Sequence, residues 1–281
     1  MKRFAALSSM AIAMWMLVAP AVPRAQEGGP DAARRKTLDQ ILDLYVRDGF
    51  VYYRALRLER GKLDGYLNQI GGADIANASR PEQLAFWLNA YDALVLKTVI
   101  DHYPIQGQAG QYPARSIRQV PGAFERLPHR VANRTVTLDE IEKTILSGFD
   151  DPRVYLAIGR GSVGGGRLRS EAFTPGRLEE QLTEAAAECA KRPECVQVDR
   201  SGNKVLATPI FSWREKEFSA KYAGKAPAAF ASRSPIERAI LAFVQPNLLT
   251  IEHDFLEKNA FEVVFKPFDW SLNDLTGRGG R

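Results

Sequence analysis

Cysteine and histidine are scarce in this chain: two cysteines and three histidines in 281 residues. Two cysteines exclude a disulfide-dense miniprotein. No Cys or His pair completes a zinc-binding set, so no metal site is expected. No block of five or more like charges occurs, and no basic stripe is interleaved with aromatics, so nucleic-acid binding is not expected. Hydrophobic residues make up 45% and charged residues 25%. Those ordinary values exclude a mostly disordered chain, a collagen-like chain and a multi-span membrane protein. The length allows one large domain or two modest ones.

The chain does carry an N-terminal export pattern. Lys2 and Arg3 form a positive start, Phe4 to Val18 is apolar apart from Ser8 and Ser9, and Ala19-Pro20-Ala21 has the small-x-small form of a cleavage site. Cleavage is expected after Ala21 or Ala25, giving a signal peptide over 1–21 and a periplasmic or secreted protein. Pro20 and Pro23 sit where the last turns of a membrane anchor would be, which disfavours an uncleaved span. The net charge of +5 falls to about +3 once Lys2 and Arg3 leave. In an oxidising compartment Cys189 and Cys195 are expected to form a disulfide tying a helix end to the next strand.

Periodicity organises the rest. A polar leader over 22–36 is expected to be flexible. Leu38, Ile41, Leu42, Tyr45 and Val46 share one face of a helix starting at Thr37. Ser79 with Pro81 and Glu82 opens a long helix that is apolar on nearly every face and therefore central. Residues 105–130 read as a long loop rich in glycine and proline. Thr137 and Glu140 suggest a capping box. Val154 to Ile158 reads as a buried strand, followed by the glycine-rich run GRGSVGGGRLRS. Residues 195–207 read as a hairpin and 261–265 as a strand. Helices and short strands do not alternate regularly, so the expected class is α+β: a single domain over 37–274, a central long helix with several helices and a small, mostly antiparallel sheet. The tail over 275–281 is expected to be disordered.

From FWLNAYDALVLKTVIDHYPI onward, through TLDEIEKTIL, DPRVYLAI, LRSEAFTPGRLEEQL, IFSWREKEF and FDWSLN, the chain resembles the domain of unknown function 547 family. That family is often exported in bacteria and has no agreed activity. The departures from its usual pattern are informative. Where the family has two histidines, this chain has Lys143 and Tyr155; where it has two cysteines, this chain has Arg160 and Gly165. The two prolines that follow are here Gly166 and Arg167. The resemblance implies a divergent member without the family's Cys/His group, a candidate pseudo-enzyme whose own site is different.

Several constellations remain. Gly159-Arg160-Gly161-Ser162-Val163-Gly164 formally matches a dinucleotide-binding pattern, but no helix signal opens at the third glycine, and no cofactor is expected. Ser162 is out of register for a nucleophile elbow, because Arg160 stands where a glycine is required. The loop still joins glycine amides at Gly161 and Gly164 with Arg160, Arg167 and Arg169, and Arg153 is near in sequence. Such a group suits a small anion or an acidic protein surface. The alternative is that these arginines pair with Glu142, Asp151 or Glu171 and only hold the loop. Trp87, Asn89, Tyr91 and Asp92 form a polar-aromatic patch on the long helix, either a pocket wall or a structural network. The expected role is therefore a binding or accessory domain with an anion-binding loop at 159–169. The alternatives are an extracytoplasmic hydrolase or transferase using Asp92, His102 or Glu142, and a protein-interaction domain.

Overall fold

The computed structural model describes residues 30–276. The expected signal peptide, the leader up to residue 29 and the tail from residue 277 lie outside the described residues. Helix α1 (Pro30–Tyr45) starts seven residues before the expected Thr37, so residues 30–36 are helix and not flexible leader. Proline suits the first helical position and Asp31 the first turn, where it pairs with Arg34 and Arg35. Leu38, Ile41, Leu42, Tyr45 and Val46 are all buried, as their spacing requires, and Leu44, off that face, is exposed.

A tight hairpin of β1 (Val46–Arg47) and β2 (Phe50–Val51) leads to α2 (Tyr53–Leu58) and α3 (Gly61–Gly71). Helix α4 (Arg80–His102) is the axis of the core. Ser79 and Glu82 close its capping box, with the Ser79 amide donating to the Glu82 carboxylate at 2.8 Å. From Leu84 to Leu96 every residue is buried, and α1, α2 and α3 pack around it. The long connection after it holds only a 3₁₀ turn, Ile117–Gln119.

Strands β3 (His129–Val131) and β4 (Arg134–Val136) form a second hairpin. Ala132 and Asn133 both take positive φ in its two-residue turn, a conformation that matches the twist of the flanking strands. Thr137 caps α5 (Leu138–Glu140), accepting from the Glu140 amide at 3.1 Å. The helix then widens into a π turn, Ile141–Ile145, and ends in a 3₁₀ turn, Leu146–Phe149. The expected strand at 154–158 is instead a single buried helical turn, α6 (Val154–Ala157). Asp151 accepts the Arg153 amide at 3.1 Å and starts the turn, and a short apolar run has no period by which to tell helix from strand.

Helix α7 (Leu178–Lys191) ends at the disulfide Cys189–Cys195, whose Cα atoms are 5.3 Å apart, and this joins it to β5 (Val196–Asp199). β5 pairs antiparallel with β6 (Lys204–Ala207). After α8 (Ile210–Trp213), α9 (Glu215–Tyr222), α10 (Pro235–Val244) and α11 (Thr250–Glu257), β7 (Glu262–Phe265) returns parallel to β6. The class is α+β, with short, mostly antiparallel sheets around a helical core. Residues 269–273 then run along the glycine-rich loop, and the Leu275 amide bonds to Val51. No described helix is long and apolar enough to cross a membrane.

Candidate functional site

The glycine-rich loop is filled from within. The Gly159 amide donates to Asp92 at 2.8 Å, Val163 to Ser271, Gly164 to Asp269, Gly165 to Ser162 and Gly166 to Ile158. Gly161 takes φ +64° against Val95, and a side chain at Gly166 would meet the Leu156 carbonyl at 2.4 Å. The glycines thus serve close packing against the core and against residues 269–271, and these amides are not left facing a ligand. The arginines are engaged too. Arg153 is held by Asp151 at 2.6 Å and Glu179 at 2.7 Å; Arg167 reaches Asp48 and Glu188; Arg169 reaches Glu171 and Glu184. The cavity of about 350 Å³ beside the loop is lined by Arg47, Arg167 and Arg169 but equally by Asp48, Glu171 and Glu188. The pairings Arg160–Glu142, Arg153–Asp151 and Arg169–Glu171 are those that the sequence offered as the alternative to a ligand site.

The long-helix candidates form a network, not a pocket wall. Asn89 exchanges two bonds of 2.8 Å with the Phe173 backbone. Trp87 lies against Phe86 and under the Arg134 guanidinium. Asp92 is buried, and burial pushes its carboxyl up to about 8, against the opposing pull of the Gly159 amide and Arg160. Tyr91 donates to Glu142 at 3.0 Å. His102, at the end of α4, bonds to the Thr98 carbonyl at 2.9 Å. Of the three residues named as possible catalysts, Glu142 alone lines a cavity described here.

Glu142 is the floor of that cavity. Both its oxygens face Arg160, at 2.6 and 3.2 Å, and Arg160 also donates to the Tyr155 carbonyl at 3.0 Å. Burial would raise the Glu142 carboxyl. The Arg160 charge, the bonds from Arg160 and Tyr91 and the nearby Arg214 outweigh it and hold the group below the usual carboxylate range. Such a carboxylate is a poor proton acceptor near neutral pH. Arg214 stacks on Tyr155 at 4.1 Å and donates to the Glu142 carbonyl at 3.1 Å.

Above this floor opens a cleft of about 330 Å³, lined by Arg118, Phe124, Asp139, Glu142, Lys143, Arg160, Trp213, Arg214 and Trp270. Four cations face two carboxylates. Trp213 and Trp270 lie nearly parallel, 20° apart, with Phe268 packed on both. The Arg118 guanidinium lies against both Phe124, at 4.3 Å, and Trp270, at 4.4 Å, in the corner that these two edge-to-face rings make 5.7 Å apart. One arm pairs with Glu125; the Nε–H has no partner and is shielded from solvent. An unmet buried donor costs about 1–3 kcal/mol, and Arg169 and Arg238 carry the same unmet Nε–H. The Nε–H and Nη2 edge of a guanidinium is the side that takes a carboxylate or phosphate two-pronged.

The four positions at which the resemblance leads one to expect Cys and His converge here. Lys143 and Arg160 line the cleft, Tyr155 lies under Arg214, and a side chain on Gly165 would come within 3.0 Å of the Arg160 backbone. Lys, Tyr, Arg and Gly offer neither thiolate nor imidazole, and among the described residues no group of three or more His, Cys, Asp or Glu is placed to hold a metal ion. A guanidinium–carboxylate pair occupies this floor instead. Arg118, Asp139, Trp213, Arg214 and Trp270 were not singled out from the sequence. The signals were present: Trp213-Arg214 and Trp270 sit in IFSWREKEF and FDWSLN, and Arg118 sits in the long 105–130 loop.

The model of the family described as "Protein of unknown function, DUF547" matches residues 75–188, the segment that contains α4, Glu142 and Arg160. The resemblance read from the motifs of this segment is thereby supported, and both tryptophans of the cleft lie beyond the matched residues. No curated protein and no solved structure matches the chain.

Proposed function

We propose that this protein, whose central segment matches the DUF547 family, is an exported binding or accessory domain that takes a small anionic ligand bearing a ring. The ligand site is the cleft of Arg118, Lys143, Trp213, Arg214 and Trp270, not the outer face of the glycine-rich loop. One observation carries this reading: a guanidinium seated in the corner of two aromatic rings, beside two near-parallel indoles, in a cleft whose lining holds four cations and two carboxylates. A pre-positioned fork loses little freedom on binding, and the neighbouring indoles offer a flat apolar face to a ring. Export rests on the charged, apolar and small-residue order of the first 25 residues.

The test is thermal unfolding of the mature chain against aromatic carboxylates, sugar acids and sugar phosphates. A ligand at about 100 times its dissociation constant adds about 2.7 kcal/mol, a shift of a few degrees for a chain of this size. The shift should vanish in Arg118→Ala and persist in Arg169→Ala. A shift lost in Arg169→Ala and kept in Arg118→Ala would return the site to the loop. No shift with any anion would sink the reading.

A further inference from the structure

Another cavity lies one helical turn further along the elements that wall the cleft. It is about 450 Å³ and is lined by Ser147, Asp150, Lys216, Glu217, Ala220 and Lys221. Its walls continue those of the first. Asp139, Glu142 and Lys143 on one side are followed by Ser147 and Asp150; Trp213 and Arg214 on the other are followed by α9. From Glu215 to Lys221 that helix rises about 9 Å, more than one ring requires. Resting on the reading above, we propose that the ligand is an acidic oligosaccharide: one ring is stacked at Trp213 and Trp270, and further acidic units lie along α9 toward Lys216 and Lys221.

The charges along the extension favour this. Lys216 and Lys221 close no ion pair and donate no hydrogen bond among the described residues, although Lys221 lies in the field of Asp151. Glu217 is turned to Arg214 at 3.4 Å and to the Tyr155 hydroxyl at 3.5 Å, and Asp150 to Arg80 at 3.5 Å. The unclaimed charges are therefore the two ammonium groups. The walls also mix cations with the carboxylates Asp139, Glu142 and Asp150. Asp139 and Glu142 are met by Lys143 and Arg160, but Asp150 is exposed and can accept a hydroxyl, so a sugar acid supplies both an anion for the ammonium groups and a donor for Asp150, whereas a phosphodiester chain supplies acceptors for the first and repulsion for the second. An acidic peptide carries its charge without a ring to lay on the exposed Trp213, which is 47% accessible. Single-stranded nucleic acid would want successive stacking platforms. Beyond Trp213 the lining is Ser147, Ala220 and charged residues.

Tryptophan fluorescence and calorimetric titration with galacturonic acid and its trimer and hexamer test this. The expected result is at least tenfold tighter binding of the hexamer than of the monomer. The Lys216→Ala/Lys221→Ala variant should abolish that gain and leave monomer affinity unchanged. Equal affinity for monomer and hexamer, with both lost in Arg118→Ala, overturns the oligomer and leaves the cleft reading standing. So does the absence of any uronate binding while another small anion binds in an Arg118-dependent way. No binding of any anion defeats both. Oligoglutamate or oligothymidylate binding as tightly as the hexamer overturns the saccharide class.

Discussion

Two faces of this molecule carry arginine in quantity, and they are built to different ends. On the loop face, Arg153, Arg167 and Arg169 each meet two carboxylates from α7 or from nearby loops, so charge is matched within the fold. In the tryptophan cleft the four cations are paired as well, Arg118 with Glu125, Lys143 with Asp139, Arg160 with Glu142 and Arg214 with Glu217, but Glu125 and Glu217 lie outside the lining, and an Nε–H is unmet on both faces, at Arg118 and at Arg169. Arg160 belongs to the loop by sequence but to the cleft by position, where it neutralises Glu142 from below. Arginine density and ion pairing alone therefore do not separate the two faces; the near-parallel tryptophans beside the cleft do.

The comparison breaks most sharply at Arg160. Replacing it by methionine leaves the buried Glu142 carboxylate with only the Tyr91 hydroxyl at 3.0 Å and Arg214 at 3.9 Å, so denaturant unfolding should show a loss of about 3 kcal/mol. The double variant Arg160→Met/Glu142→Leu should recover most of that loss, because the desolvated charge goes with its partner. A single variant as stable as the parent would show that the pair is not the floor of the cleft.

Asp92, on the core side of the loop, sharpens the contrast by titrating where Glu142 does not. Its folded value of about 8 lies above the ordinary 3.8, so the folded state holds the proton more tightly. The contribution is fully present below pH 4, falls as pH rises by at most about 1.4 kcal/mol per unit, and is gone above about pH 8. Asp92→Asn should flatten that decline in the stability–pH curve while still accepting the Gly159 amide. A decline unchanged in the variant would place the titrating group elsewhere.

Smaller effects separate the two faces directly. Arg118→Ala and Trp213→Ala should each weaken the cleft ligand by tenfold or more while costing about 1 kcal/mol or less in stability, as read by titration and by chemical unfolding on the same samples. Smallest of all, Arg167→Ala, at a partly exposed ion pair, should change stability by about 0–1 kcal/mol, less still at high salt, and leave ligand affinity alone. A larger affinity loss from Arg167→Ala than from Arg118→Ala would reverse the assignment of the two faces.

Much of the frame was legible in the sequence. The capping signals at Ser79 and Thr137, the apolar face of α1 and the short spacing of Cys189 and Cys195 each act over a few residues, and local geometry suffices to read them. The readings that failed depend on less local signals. The four apolar residues of α6 have no distinguishing period, and α1 runs back to Pro30 through a polar stretch that looked like leader. The arginine pairings were foreseen as one of two options, and only the arrival of α7 and the π turn beside the loop chose between them.

The sequence by itself determined the helical core, the class and the disulfide, because burial patterns and caps are written in neighbouring residues. Only the tertiary structure assembled the cleft. Arg118, Glu142, Arg160, Trp213 and Trp270 are up to about 150 residues apart in the chain and meet only because the fold brings their elements to one cleft. Whether a charged residue is spent on the fold or left for a ligand depends on which distant carboxylate the fold brings within reach.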